Sequence, residues 1–517
     1  MKFPSLLFPK TATISAALVF FSYIVFTSVI LSPIAAAQDQ RASETNAHES
    51  KSTERQSSDK EISRAIESDL RTANAFESER IDVVSTDGIV TLSGRISSLA
   101  AKREAEEIVS KIRGVRSIIN LIVVVRDELN DETITDGIRK RLANEMAVEN
   151  SEIEISLSNG MTKLTGEVDS IGEKMLAEDA VAMVNGVLEI ENDITVDAKQ
   201  SRPDDELQEE IQSLLDSAVE LDDATIVVAV QEGVATLAGF VGSEYGRRIA
   251  HRKAMIVGVK KIDMSALKID PDRLDGTRRR ELMAKVTDDG IKDALRLALS
   301  HDPRTLSYLN GIEIESDSGV VTLTGKVSHL RAKQSAGNVA RNTTGVWKVN
   351  NNLKVRYDED EPSADEIVDS VQEALKHNPY VSRHALRVHC RNAHVSLYGV
   401  VDSEFEKRAA GWTAGGQKGV VHVNNYLAVP KVWEQKPDAE IKADIEEKLK
   451  FTLQGAADKI DVTVKGGVAI LRGEVDTWRQ WQRVMTKSLE AGARRPHNLL
   501  KVHFHPRHGG RRIYIGE

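Results

Sequence analysis

The sequence predicts an α+β protein, a tandem array of six small αββαβ domains that each pack two helices on a three-stranded mixed sheet. The first observation is a phrase like DGIVTLSG, which occurs six times with its closing glycines 72, 73, 86, 74 and 74 residues apart. The second is an amphipathic helical pattern before each phrase, and the third is another helical pattern and a β-branched run after it. A period of this length indicates an array of small domains with separate cores.

The first helix of each unit is predicted around an apolar residue that lies 32 positions before the closing glycine, or 34 in the fourth unit. EISRAIESDL and AEIKADIEEKL place apolar residues at i, i+4 and i+7 or i+8. This spacing is one stripe of an amphipathic helix. The residues at this position are Ile62, Ile134, Leu207, Ile291, Ile367 and Ile441.

Two strands joined by a tight turn are predicted next. Asp87-Gly88 and Asn159-Gly160 stand between alternating apolar runs, which is typical of a type I′ hairpin turn because that turn needs positive φ. The glycine that closes each phrase is expected at a strand end or bulge where a Cβ would clash. These closing glycines are Gly94, Gly166, Gly239, Gly325, Gly399 and Gly473.

A second helix and a third strand complete the unit. Short polar side chains such as Ser98 and Ser170 follow the closing glycine and predict an N-cap. A small residue such as Ala105, eleven positions past the glycine, lets the helix lie close to the sheet. A second glycine is expected to end this helix in the left-handed conformation before the last strand. These second glycines are Gly114, Gly186, Gly258, Gly345, Gly419 and Gly492.

The pattern of TL-x-G, a capped helix, Gly-Val and then IN-L-V or VNN-L-V resembles the BON (bacterial OsmY and nodulation) domain family. The third copy lacks the asparagine after its second glycine, and the sixth has Pro496 where the others have Ile or Val. The resemblance implies membrane-associated binding modules of the cell envelope, linked to osmotic stress and outer-membrane integrity, that contact phospholipids without catalysis. The six copies are residues 60–126, 131–197, 203–270, 287–357, 362–430 and 437–503.

The remaining segments are predicted to lie outside these domains. Residues 1–37 combine lysines, a long apolar run and small residues, which predicts a signal peptide cleaved after Ala37 or, alternatively, a retained inner-membrane anchor. Both interpretations place the chain in the periplasm or cell envelope. Residues 38–59 are predicted to be a disordered polar linker, 271–286 a linker, and 504–517 a basic tail that contains histidine.

Charge distribution indicates the class of partner. The net charge of −10 argues against a nucleic-acid partner. The second copy is strongly acidic, whereas the fourth and sixth are basic. Basic residues beside tryptophan suit an anionic lipid surface, and the alternative is a charged helix exterior with one tryptophan in the core. The candidate lipid contacts are Arg331, Lys333, Arg341, Trp478, Arg479, Trp481, Arg483 and Lys487.

No catalytic, metal or cofactor motif stands apart from the repeated scaffold, so we predict a non-enzymatic protein without a cofactor. Cys390 lies in an alternating run and is predicted to be a buried strand residue. The alternative is a catalytic site that it forms with nearby histidines. These histidines are His384, His389 and His394. Histidines near the end of the chain could bind a metal, and the alternative is a polar segment without fixed geometry. These are His503, His505 and His508.

Two functions follow from these observations. The first is an exported array that binds anionic phospholipid membranes or envelope proteins, supports envelope integrity or osmotic-stress tolerance, and gains avidity from several weak sites. The alternative is a periplasmic chaperone-like or self-assembling scaffold that uses exposed strand edges. Both hypotheses treat the domains as individually folded units whose outer surfaces carry the function.

Overall fold

A computed structural model describes residues 59–502 apart from 74–80, 126–129, 146, 149–151, 197–201, 222–223, 271–272, 274–285, 357–361, 403, 431–435, 454–456 and 476–477. The predicted segments 1–37 and 504–517 lie outside the described residues, as do nearly all of 38–59 and most of 271–286. Within the described part, each repeat runs helix, strand, strand, helix, strand, which confirms the predicted fold class. Among these helices none is both long and apolar enough to span a bilayer.

The first three repeats have the following elements. Repeat 1 comprises α1 (Asp59–Ala73), β1 (Ile81–Thr86), β2 (Ile89–Ile96), α2 (Leu99–Ser110) and β3 (Ser117–Val124). Repeat 2 comprises α3 (Asp131–Ala143), β4 (Ile153–Ser158), β5 (Met161–Val168), α4 (Ile171–Ala182), β6 (Glu189–Asn192) and β7 (Thr195–Val196). Repeat 3 comprises α5 (Asp204–Asp216), β8 (Thr225–Gln231), β9 (Val234–Val241), α6 (Glu244–Ala254) and β10 (Lys261–Ile269).

The last three repeats follow the same order. Repeat 4 comprises α7 (Asp288–Ser300), β11 (Ile312–Asp317), β12 (Val320–Val327), α8 (Leu330–Arg341), β13 (Lys348–Asn351) and β14 (Lys354–Val355). Repeat 5 comprises α9 (Ala364–His377), β15 (Arg387–Arg391), β16 (His394–Tyr398), α10 (Glu404–Gly415) and β17 (His422–Asn425). Repeat 6 comprises α11 (Asp438–Thr452), β18 (Ile460–Lys465), β19 (Val468–Val475), α12 (Trp478–Glu490), β20 (Arg495–Asn498) and β21 (Lys501–Val502).

Each sheet is mixed, with the second strand of the repeat in the middle. In repeat 1 the hairpin is antiparallel and β3 returns parallel to β2. A parallel return needs a crossover connection, and the second helix supplies it. The turn residues Asp87 and Gly88 have φ of 52° and 74°, as a type I′ turn requires.

The closing glycines lie where the sequence predicts a steric clash. Gly166 has φ of 130°, and a Cβ there would come 2.2 Å from the carbonyl oxygen of Glu152. Gly473 has φ of 124°, and its Cβ would come 1.9 Å from the carbonyl oxygen of Lys459. Both glycines lie inside the middle strand rather than at the end of that strand. They pair with the first residue of the preceding strand, Ile153 or Ile460.

The second glycines do not directly end the second helices, which corrects our expectation. α2 ends at Ser110, whereas Gly114 follows four positions later with φ of 91°. A Cβ on Gly114 would lie 2.9 Å from Cδ1 of Ile62, the apolar residue of α1. The glycine therefore makes room for the first helix of its own repeat.

The two helices of a repeat cover one face of its sheet. Ala105 and Ala177 are fully buried, as a close helix–sheet contact requires. The predicted N-caps are confirmed at Ser98 and Ser170, whose hydroxyls accept hydrogen bonds from backbone amides three residues later. Within the described residues, both helices of a repeat thus pack on the same face of its sheet, and the other face is open.

The repeats also pack against one another, and repeats distant in sequence meet. The Arg113 amide of repeat 1 donates to the Phe451 carbonyl of repeat 6 at 3.3 Å, and the Asn185 amide of repeat 2 donates to the His377 carbonyl of repeat 5 at 3.0 Å. The described residues belong to one compact unit. Contacts between repeats therefore cover part of the outer surfaces on which the predicted function depends.

Candidate ligand-contact surfaces

Arg331, the first candidate lipid contact, lies inside the molecule with 4% of its surface exposed. Its Nη1 lies 2.8 Å from Oε2 of Glu145 in repeat 2, and Arg304 donates to both oxygens of the same carboxylate at 3.0 and 2.9 Å. Burial disfavours the charge on Glu145, but the two guanidiniums outweigh it and lower the pKa. Arg331 thus joins repeat 4 to repeat 2, and its prediction as a lipid contact is wrong.

Lys487 is also held away from solvent. Its Nζ lies 2.7 Å from Asp69 on α1 and 2.8 Å from Glu490, and Lys448 takes the other oxygen of Asp69 at 2.9 Å. Burial raises the pKa of Asp69, but the two lysines outweigh it, so the net pKa is lowered. Lys487 therefore joins repeat 6 to repeat 1, and its ammonium group is not placed to contact lipid.

The other candidates differ in exposure. Arg341 is exposed at the end of α8, whereas Lys333 is half-buried on the same helix. Trp481 packs against the core of repeat 6, as the alternative interpretation predicts, and Arg483 is half-buried. Two of the eight candidates, Trp478 and Arg479, have side chains that lie outside the described part of the chain. The basic helix residues therefore do not form one exposed contact surface, which leaves as candidates the sheet faces that no helix of the same repeat covers.

A recurring asparagine sets which residues of the last strand face outward. The Nδ2 of Asn120 donates to the Lys102 carbonyl of α2 at 3.2 Å, and its Oδ1 accepts from the amide two residues later. Asn192 makes the same pair of bonds, donating to the Lys174 carbonyl at 3.1 Å. Because the asparagine points toward the helix, the residues on either side of it point to the open face.

The open sheet face of repeat 1 carries five large apolar side chains that are 43% to 60% exposed, and we call it the repeat 1 apolar face. They are Val84, Ile89, Ile119, Leu121 and Val123. Arg95, which pairs with Val123 across the strands, and Arg116, which precedes β3, are exposed at its two ends. An apolar patch with a polar rim is typical of an interaction site.

The same open face has a different chemistry in other repeats. On either side of its asparagine, repeat 2 has Glu191 and Asp193, which bind Lys163 at 2.8 and 2.5 Å. Repeat 5 stacks Tyr398 on Tyr426 with ring centroids 5.3 Å apart, and both rings are exposed. The repeats therefore share a backbone but present different contact surfaces.

The structure does not pair Cys390 with the histidines beside it in sequence. Cys390 points from β15 into the core and is 7% exposed, and burial raises the pKa of its thiol. His389 alternates with it on the strand and is exposed on the opposite face, as is His394. A buried thiol with a raised pKa carries little thiolate, so this arrangement lacks an activated nucleophile.

His384 belongs to a separate charged cluster. Atoms of His384, Asp402 and Glu406 lie within 4.8 Å of one another, a spacing that could hold a metal ion. Arg383 already pairs with Asp402 at 3.0 Å and with the buried Glu406 at 2.6 Å, and His384 lies 2.9 Å from Glu406. Arg383 and His384 thus already contact these carboxylates, so the spacing alone does not assign a metal site. The tail candidates outside the described residues are His503, His505 and His508.

Comparison with known proteins agrees with the repeated scaffold. Six segments match the BON domain, residues 58–126, 130–198, 203–271, 287–357, 363–431 and 437–503, and together they span most of the chain. The chain belongs to the BON family. Osmotically-inducible protein Y of Escherichia coli strain K12 is 26% identical over 140 residues, which cover 26% of this chain and 70% of that protein.

Two solved structures of CdsD, a structural protein of the type III secretion system of Chlamydia trachomatis, are also similar. Each is 13% identical to this BON protein, with a TM-score of 0.12. The matches cover 41% and 44% of this chain, and 96% and 94% of the respective CdsD chains. A TM-score this low supports no conclusion about fold or function.

The open faces of the BON repeats are functional candidates that sequence reasoning missed. The signal was present in the residues around the recurring asparagine, which read IINLI in repeat 1, EIENDI in repeat 2 and VNNYL in repeat 5. The asparagine is repeated, whereas the residue that follows it changes from apolar to acidic to aromatic. Knowledge of which side of the strand faces the helices was needed to interpret that change.

Proposed function

We propose that this BON protein is an exported, non-enzymatic cell-envelope protein that binds anionic phospholipid membranes, in support of envelope integrity or osmotic-stress tolerance. The repeat 1 apolar face is the observation that carries the proposal. The likeness to osmotically-inducible protein Y supports the link to osmotic stress. The lysine-flanked apolar run at the start of the sequence supports export.

The chemistry of this face suits shallow insertion at a membrane surface. Each of the five side chains is already about half covered, so further burial would contribute on the order of 1 kcal/mol apiece. Arg95 and Arg116 are placed to meet lipid phosphates, at roughly 1 kcal/mol per cation near an anionic surface. These gains offset the entropic cost of association and favour anionic over neutral membranes.

Self-assembly is the second candidate, because β3 lies at the edge of its sheet and is eight residues long. A free strand edge beside an apolar face can pair with another chain. In that case substitution on the face would change the oligomeric state rather than membrane binding.

Vesicle flotation of the purified chain tests the proposal. We expect binding to phosphatidylglycerol vesicles that exceeds binding to phosphatidylcholine vesicles and weakens in about 0.5 M salt. Leu121→Asp would weaken binding at least about tenfold, since it places a charge in the apolar contact. Asn352→Asp, at the corresponding exposed position of repeat 4, is the matched control and should bind normally.

Equal flotation of wild type and Leu121→Asp would contradict the proposal. Size-exclusion chromatography on the same samples distinguishes the second candidate. A wild-type oligomer that Leu121→Asp converts to a smaller species, with no vesicle binding by either protein, would favour self-assembly.

A further inference from the structure

A cavity of about 350 Å³ lies between repeats 2 and 5, and none of its lining residues belongs to the repeat 1 apolar face. α3 and α9 form two of its walls, and residues after α4 and in α10 complete it. Its volume is within the range of small-molecule sites in proteins. Met183, Val184 and Ala374 give it an apolar part.

Most polar groups of the wall already have partners within the protein. Asn378 Nδ2 donates to Thr413 Oγ1 at 2.7 Å, and Ser370 Oγ donates to Gln417 Oε1 at 3.0 Å. Glu373 accepts from Lys140 at 3.2 Å and lies 3.2 Å from His377 Nε2. These pairs hold the wall in place and leave little unmet hydrogen-bonding capacity in it.

Arg141 is the exception. It lines the cavity, and its buried Nε has no hydrogen-bond partner among the described residues. Its guanidinium lies 5.3 Å from the centre of the Trp412 ring, an interaction that orients the side chain without neutralising it. An arginine in a partly buried wall without a carboxylate partner is costly unless a ligand supplies the anion.

The residues behind Arg141 do not supply that anion. Glu145 is a carboxylate whose charge favours the charged form of Arg141. However, Arg304 and Arg331 already bond both of its oxygens. Nε and Nη2 of Arg331 are also buried without a partner. Burial and the neighbouring Arg331 lower the pKa of Arg141 to about 9. Asp369 also lines the cavity, but it is exposed, so solvent screens its charge.

We propose that the cavity between repeats 2 and 5 binds a small organic anion, with its carboxylate or phosphate group paired to Arg141 and its apolar body against Met183, Val184 and Ala374. A guanidinium presents two parallel N–H donors that match either group. Because the walls come from two repeats, the ligand also bridges them. This site does not depend on membrane binding by repeat 1, so either proposal can fail without the other.

Titration calorimetry on the full chain tests this site with hexanoate, hexyl phosphate and 1-hexanol, which carry unbranched alkyl chains of nearly equal length. We expect saturable binding of at least one of the two anions and at least about tenfold weaker binding of the alcohol. Arg141→Met should reduce anion affinity at least about tenfold, whereas Arg341→Met, a change at an exposed arginine of repeat 4, should leave it unchanged.

Folding of the variants is checked by thermal unfolding. Arg141→Met removes an unpaired charge, so its melting temperature without ligand should not fall, and the anion should no longer raise it. Ala374→Leu fills the cavity, keeps Arg141 and should also abolish binding. Absence of saturable anion binding, or equal affinity in Arg141→Met, would overturn the proposal.

The same variants identify the source of the anion. Flotation with phosphatidylglycerol vesicles is measured for the wild type and for Arg141→Met, and both proteins keep Leu121. Weaker flotation of Arg141→Met, together with its loss of hexyl phosphate binding, would assign the anion to a lipid head group. Unchanged flotation with lost hexanoate or hexyl phosphate binding would assign it to a free small molecule.

Discussion

An aspartate at the start of the first helix holds the hairpin turn of its own repeat. Asp204 accepts hydrogen bonds from the Glu232 amide at 2.7 Å and the Gly233 amide at 3.0 Å. Glu232 has φ of 53°, a conformation that costs free energy for a residue with a side chain, and the carboxylate offsets that cost. The aspartates that accept from the turn in this way are Asp59, Asp131, Asp204, Asp288 and Asp438.

We expect Asp204→Ala to open this turn. A charge-assisted hydrogen bond contributes on the order of 1 kcal/mol or more, so hydrogen exchange of the peptide containing Glu232 and Gly233 should accelerate about fivefold or more. Mass spectrometry of exchange on the full chain measures this. Asp205→Ala is the matched control, because Asp205 accepts from the Glu206 amide and does not bond the turn.

Unchanged exchange in Asp204→Ala would contradict this role. Repeat 5 offers a natural comparison, since Ala364 stands where the aspartate would be. Its turn residues Asn392 and Ala393 have φ of 51° and 60° without a glycine. Their amides should exchange faster than those of the repeat 3 turn.

Individual residues show where sequence reasoning succeeds and where it stops. The aspartate precedes the turn residue by 28 positions in repeats 1, 2, 3 and 6 and by 30 in repeat 4, so comparison of the copies could have revealed it. The pairing of Arg331 with Glu145 spans 186 positions and joins two copies, so no repeated spacing marks it. Both arginines and lysines at such contacts look like surface charge in the sequence, because a charge pattern carries no information about the partner that buries it.

At the scale of the strand, the closing glycine sets the close approach of the two hairpin strands. Two glycines of repeat 6 distinguish the effect of a positive φ from the effect of a steric clash. Gly473 lies on the middle strand against the Lys459 carbonyl, whereas a Cβ at Gly466, in the turn with φ of 58°, would meet nothing within 4 Å. An alanine tolerates the second position at a small cost but cannot occupy the first without displacing backbone.

We therefore expect Gly473→Ala to destabilise repeat 6 much more than Gly466→Ala does. The difference should be about 2 kcal/mol or more, which lowers the melting temperature of a domain this size by about 8 °C or more. Thermal unfolding followed by circular dichroism measures both variants. Similar melting temperatures would mean that the strand shifts to accept the Cβ.

The elements explain why the scaffold was predictable and the candidate surfaces were not. Turn glycines, capping serines and the apolar stripe act within a few residues of one another, so the order αββαβ follows from local physics. The open face depends on which side of the sheet receives the helices. Ile119 and Leu121 lie in a run of apolar residues that does not show which side meets the helices, and only the packed structure places them on the exposed side.

At the scale of the whole molecule, buried ion pairs join repeats that are far apart in sequence. Asp69 of repeat 1 meets Lys448 and Lys487 of repeat 6, and Glu145 of repeat 2 meets two arginines of repeat 4. The pKa of both carboxyl groups is lowered below the ordinary values of 3.8 and 4.5. A lowered pKa means that each carboxylate stabilises the packed state above its ordinary pKa and loses that contribution as pH falls through the folded value.

Acid should therefore loosen the contact between repeats 1 and 6. The Arg113 amide bonds the Phe451 carbonyl across this contact, so its exchange protection reports on it. Relative to the intrinsic exchange rate at each pH, the protection of the Arg113 amide should be constant from pH 7 to about 5 and should fall progressively below about pH 3.8.

The triple variant Asp69→Leu, Lys448→Met and Lys487→Met separates this effect from general acid unfolding. Apolar residues of similar size can replace a buried ionic group without loss of stability, so the variant should keep Arg113 protected at pH 7. It lacks the buried Asp69 carboxylate, and of the other carboxylates at this contact Glu61 keeps its pairing with Lys450 near the surface, at 3.3 Å, while Glu490 loses Lys487. Protection of Arg113 should therefore fall less in the variant than in the wild type as pH decreases below about 3.8. If wild type and variant lose protection at the same pH, the acid response arises within the repeats, and the ion pairs only orient repeats that other contacts hold together.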